Sequence, residues 1–120
     1  MHGVPAGLDL RFLDDATLIQ VCIGPWDVQF HFHPAGAIFV QGSWEFRDER
    51  GVVLDRSSDV TAAERGPFQL HRLLGHRVVA TEISAPLWLS LRFAGGEELR
   101  IIDDSDRFES FQIQPGDVVV

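Results

Sequence analysis

The sequence predicts an all-β fold, mainly antiparallel, in which two meander-like halves form a barrel or sandwich carrying one or two short helices. Three observations point there. Apolar and polar residues alternate along Trp26–Trp44, a Pro/Gly turn divides that stretch, and the same pattern returns 61 residues later.

In the first hairpin, Trp26, Val28, Phe30 and Phe32 occupy alternate positions, with Asp27, Gln29, His31 and His33 between them. A period of two with one apolar face marks a half-buried strand. On the return, Ile38, Val40, Trp44 and Phe46 share a parity, although Ala37 and Phe39 between them are apolar too. Pro34, Ala35 and Gly36 supply the turn, Pro by fixing one φ and Gly by tolerating any. Taken as a three-residue loop, they set Phe32 opposite Ile38, Phe30 opposite Val40 and Trp26 opposite Trp44. Core then meets core, which favours this register over one shifted by a residue.

Adding 61 carries Val28, Phe30 and Phe32 onto Leu89, Leu91 and Phe93, and Ile38 and Val40 onto Leu99 and Ile101. Pro25 falls on Pro86, and the loop falls on Gly95-Gly96-Glu97. With four more residues inserted, Phe46 corresponds to Phe111 and Gly51 to Gly116. The expected organisation is a single domain, 1–120, with an internal pseudo-repeat at about 10–54 and 71–120 joined by a segment at about 55–70.

The remaining elements follow in order. Leu10, Phe12 and Leu13 form a short apolar turn before Asp14-Asp15, and Leu18–Ile23 (LIQVCI) reads as a well-buried strand. EFRDERGVVLD reads as strand, turn and strand, bent at Arg50-Gly51. Ser57–Pro67 is rich in turn formers, with room for a helical turn at Val60–Glu64. Phe68–Leu74 followed by Gly75 suits a short helix with glycine just past its end. Val78–Ile83 predicts a strand with Val79, Thr81 and Ile83 on one face. Leu87–Phe93 and Glu98–Ile102 form the second hairpin, Asp103–Asp106 a polar turn, and Glu109–Gln114 the last alternating run.

Composition narrows the function classes. With 45% hydrophobic and 23% charged residues the chain is an ordinary globule. No stretch approaches the ~20 apolar residues of a membrane helix. MHGVPAGLDL has neither the basic region nor the apolar core of a signal peptide, and a lone Cys22 makes no internal disulfide. A cytoplasmic location and a buried, apolar Cys22 are the expectations. The net charge of −8, with no Lys, disfavours nucleic acid and suits a basic partner.

One motif invites chemistry. His31-x-His33 sets two imidazoles on one strand face, roughly 7 Å apart at Cα, a spacing at which both can ligate one Zn²⁺ or Fe²⁺. The pair resembles the histidine pair of the cupins. That pattern implies a glutamate four or five residues later and a third histidine on a later strand. Positions 37–39 here are Ala37, Ile38 and Phe39, and Glu45 lies ~20 Å along the return strand. The histidines also fall opposite the Phe30/Phe32 face, which makes them solvent-facing. Asp103, Asp104 and Asp106 lack the spacing of a calcium loop. Ser43, Ser84, Ser90 and Ser110 lack a nucleophile elbow, and Gly95-Gly96 belongs to a hairpin rather than a phosphate loop.

Leu73–Gly75, Leu89–Phe93, Gly95-Gly96, Asp103–Asp106 and Phe108-Glu109-Ser110 together resemble the tail of small, β-rich bacterial proteins of unknown function. Phe108 stands where tyrosine is frequent in that pattern. The resemblance covers about the last fifty residues and implies no activity.

The leading expectation is therefore a non-enzymatic interaction protein, acting through an acidic β surface, with a second copy or another protein as partner and no cofactor. An immunity-like role against a basic toxin falls within that class. The alternative is a small-molecule or metal-binding β-barrel using His31 and His33.

Overall fold

The structure, a computed structural model, describes residues 4, 7–25, 27–57, 67–103, 111–114 and 118–119. Ten strands form two five-stranded antiparallel sheets, and the only helical elements among these residues are two short 3₁₀ turns. The strands are β1 (Thr17–Ile23), β2 (Val28–His33), β3 (Ala37–Val40), β4 (Ser43–Arg47), β5 (Val53–Arg56), β6 (Val78–Ser84), β7 (Trp88–Phe93), β8 (Glu98–Ile102), β9 (Phe111–Gln114) and β10 (Val118–Val119). Sheet I has the order β1-β2-β3-β9-β10 and sheet II the order β5-β4-β8-β7-β6. The mainly antiparallel β architecture is that expected, and its form is a sandwich rather than a closed barrel. Among the described residues no helix is long and apolar enough to cross a membrane.

Period-two patterning builds both sheets. Val28, Phe30 and Phe32 on β2, Ile38 and Val40 on β3, and Leu89, Leu91 and Phe93 on β7 all point into one core. Phe30, Leu89, Leu91 and Phe93 are wholly buried. Burial of each such side chain contributes roughly 1.5–3 kcal/mol, so a slip of one residue, which would turn every one of them outward, is not tolerated.

A slip of two is tolerated, and it occurs. The structure pairs Phe30 with Ile38 and Val28 with Val40. The Phe32 N–H donates to the Gly36 carbonyl at 2.9 Å, so the three-residue loop is His33-Pro34-Ala35 rather than Pro34-Ala35-Gly36. Gly36, at φ 99°, takes the left-handed position where the chain re-enters the strand, a conformation that side chains penalise. Parity is preserved, so the core is the same under either register.

The expected pairing of Trp26 with Trp44 is also corrected. Trp26 lies outside the described residues, and Trp44 pairs with Ile101 in sheet II. The chain leaves sheet I after Val40, crosses through Gln41-Gly42, and enters sheet II at Ser43. The return crossing lies between β8 and β9, so β1–β5 and β6–β10 each give three strands to one sheet and two to the other. Adding 61 to the pair Phe30–Ile38 gives Leu91–Leu99, which is also a pair. In the last strands, Leu99 pairs with Phe46 and Ile38 pairs with Ile113.

The strand starts of β1 and β6 stitch the two sheets along one side. The Leu18 N–H donates to the His76 carbonyl (3.0 Å), Gly75 to Leu18 (2.8 Å) and Val78 to Ala16 (2.8 Å). Both strands carry a register shift there, between Leu18 and Gln20 and between Val78 and Ala80. The extra residues, Ile19 and Val79, are about half exposed. Two expectations fail as a result. LIQVCI is an edge strand with only Leu18 buried, and Val79 does not share the inward face of Thr81 and Ile83.

The 3₁₀ turns at Arg11–Leu13 and Leu70–Leu73 plug the sandwich with Leu13, Leu70 and Leu73, all wholly buried. The second sits where the short helix ending at Gly75 is expected. The Val60–Glu64 turn, Asp104–Asp106 and Phe108–Ser110 lie outside the described residues, while Asp103 is buried instead of solvated.

Candidate interaction face

The strands of sheet I contain no Asp, Glu or Arg at any position. Those of sheet II contain four acids, Glu45, Asp55, Glu82 and Glu98, and four arginines, Arg47, Arg56, Arg92 and Arg100. The described strands therefore carry no net formal charge, and the whole excess of −8 resides in the rest of the chain. The expected acidic β surface is not on the sheets.

On the outer face of sheet II the charges neutralise one another. Arg47 reaches Glu45 at 2.9 Å, and Arg100 reaches Glu98 at 3.1 Å. Across strands, Glu45 stands opposite Arg56 and Arg100, and Glu98 opposite Arg47 and Arg92. The Arg100 guanidinium also covers the Trp88 ring, 4.2 Å from its centroid, in cation–π geometry.

The outer face of sheet I is built differently. The odd-numbered residues of β2 and β3 point outward, opposite to the core set. One lateral row runs Cys22, Gln29, Phe39, Gln112, and the next runs Gln20, His31, Ala37. Cys22, expected in the core, stands half-buried on this face, because the register shift after Leu18 reverses the parity of β1. Nε2 of His31 lies 3.1 Å from Oε1 of Gln29, within hydrogen-bond distance. Its ring meets that of Phe39 edge to face, with centroids 5.8 Å apart. Gln29 Nε2 lies 3.5 Å from Asp27 Oδ2, at the foot of the strand.

His31 is thus half-buried among an amide and an aromatic ring, and His33 is exposed at the strand end opposite Thr17. The residue opposite His31 is Ala37 rather than Phe39, and Glu45 belongs to the other sheet. Among the described residues no three His, Cys, Asp or Glu side chains group together as metal ligands. The two histidines share a face without a third ligand beside them.

Phe39, Gln29, Gln20 and Gln112 complete this face and are not singled out by motif reasoning. Their signal is present all the same. Phe39 is apolar at the outward parity, and the segments that become sheet I lack charge throughout.

No protein-family model, curated protein or solved structure matches the chain, so its function is read from its own geometry.

Proposed function

We propose that the protein is a non-enzymatic interaction protein whose binding surface is the outer face of sheet I. The observation carrying this reading is the segregation of charge. A solvated sheet face normally presents charged side chains, and interface centres are the surfaces depleted of them and enriched in aromatics. Sheet II follows the first pattern and sheet I the second, with Phe39 and His31 at its centre.

Amide, imidazole and phenyl groups recognise a surface through hydrogen bonds and burial. The hydrogen-bond partner of the imidazole is an amide, which neither activates a nucleophile nor stores a proton. The lone cysteine fits a cytoplasmic setting. The shared register of the two hairpins supports reading the halves as copies of one ancestral unit.

The test is co-purification from cells with the full chain as bait, beside a Phe39→Glu variant checked for an unchanged melting curve. A partner, whether another protein or another copy of the chain, is retained by the parent and lost from the variant. Equal retention by both would move the binding surface elsewhere, and retention by neither would overturn the reading.

A further inference from the structure

We infer that the occupant of the sheet I face is a second copy of this chain, packed sheet on sheet across a two-fold axis. The inference rests on the interaction reading above and names its partner.

The first argument is symmetry. In a two-fold interface the same patch meets itself, so a residue near the axis faces its own copy. A carboxylate or guanidinium there meets a like charge. The central strands of sheet I place Gln29, Phe39 and Gln112 in one row that holds no charged residue, and the Asp27 carboxylate that reaches Gln29 Nε2 at 3.5 Å stands off the row at the foot of β2. A glutamine amide both donates and accepts, so glutamine opposite glutamine is satisfied in either direction. Phenyl rings are likewise self-complementary, edge to face. Sheet II, with Glu45, Glu98, Arg47 and Arg100 at its centre, meets a copy of itself only with charges to desolvate.

The second argument is the net charge of −8. A basic partner drawn by that charge would be held by carboxylates, and the strands of this face have none. Two copies repel at long range and bring no charged strand residue together here, so screening by salt strengthens their association.

The third is area. Five strands spaced ~4.8 Å apart, each about five residues long at ~3.3 Å per residue, cover roughly 24 by 17 Å. Two such faces remove on the order of 800 Å² of flat surface, below the ~1,200–2,000 Å² of stable complexes. An area of this size fits a weak, concentration-dependent dimer rather than an obligate one.

Sedimentation equilibrium of the purified full chain from about 1 µM to about 1 mM tests this. The expected result is a monomer–dimer equilibrium that tightens as salt is raised and that Phe39→Glu weakens at least tenfold. Gln20→Glu, at an exposed position of the same face, weakens it in the same direction and serves should Phe39→Glu fail to fold. Glu82→Gln, on the outer side of sheet II, leaves it unchanged. A strict monomer at the highest concentration, or a dimer indifferent to both face variants, overturns the inference. If the monomer still captures a different protein from cells through Phe39, the interaction reading survives and only the self-association is lost.

Discussion

The backbone N–H of Gln69 donates to Oδ2 of Asp55 at 2.7 Å, which ties the end of β5 to the residue that opens the second 3₁₀ turn. The two are fourteen positions apart, and Asp55 is only 7% exposed. Its Oδ1 accepts from the Arg56 N–H at 2.9 Å. Asp55→Ala removes both acceptors from two part-buried hydrogen bonds, at a cost of about 1 kcal/mol. Asp55→Asn keeps an acceptor and costs less. Urea unfolding of the two variants checks the order, and an Asp55→Ala protein as stable as the parent would remove this contact from the account of the fold.

Asp15, at φ 59°, and Gly75, at φ 83°, close the two 3₁₀ turns in the same left-handed conformation. Asp tolerates that region through its short polar side chain, and β-branched residues do not. Gly75→Val should cost about 1–2 kcal/mol and Gly75→Asp distinctly less. Space is not the constraint, since no atom lies within 4 Å of a Cβ at Gly75. Thermal melting of the pair of variants separates conformation from packing.

The Asp9 carboxylate accepts from Nε, Nη2 and the backbone N–H of Arg11, all at 2.9–3.0 Å. The guanidinium hydrogen bonds, with the backbone N–H second, hold its pKa at about 2 instead of the ordinary 3.8. Because the folded value is the lower one, the contribution to stability is complete above the ordinary value and disappears as pH falls toward 2. NMR titration of the Asp9 side chain should show a midpoint near 2, returning to the ordinary carboxylate range in Arg11→Ala. An ordinary midpoint in the parent would show that the pair does not form in solution.

His31 and His33 stand on the outer face, one half-buried and the other exposed. His31→Ala/His33→Ala should leave the fold intact at a cost under about 1 kcal/mol, chiefly from the lost ring contact with Phe39. Native mass spectrometry of the parent should show the bare chain mass. One metal ion per chain, absent from the double variant, would instead establish the metal-binding alternative.

Gly96 adopts φ 93°, and a Cβ built on it would come within 2.8 Å of the Glu49 Cβ. Both the torsion and the approach of the β4–β5 turn therefore call for glycine. Gly96→Ala should cost about 1–2 kcal/mol, with the whole loss appearing as a lower urea midpoint at unchanged slope.

The period-two pattern is local, and it was enough to place the strands, both hairpins and nearly the whole core. Val28, Phe30, Phe32, Leu89, Leu91 and Phe93 point inward under any register of matching parity. The turn glycines Gly51 and Gly75 were legible for the same reason, since a positive φ is a property of one residue. The uncharged segments of sheet I were legible as composition. What tertiary structure alone decided is which strands share a sheet. Val40 and Trp44 have one parity whether the chain continues in sheet I or crosses to sheet II, because both inner faces bury into the same core. The crossing at Gln41-Gly42 consequently leaves no mark in the alternation. Nor do the extra residues Ile19 and Val79, which are apolar like their neighbours yet are turned out by register shifts where β1 and β6 meet. The face that unites Gln29, His31, Phe39 and Gln112 is non-local in the same sense. β9 arrives beside β3 only after the chain has passed through the whole of sheet II, and the pairing energy that puts it there is shared among residues some seventy positions apart.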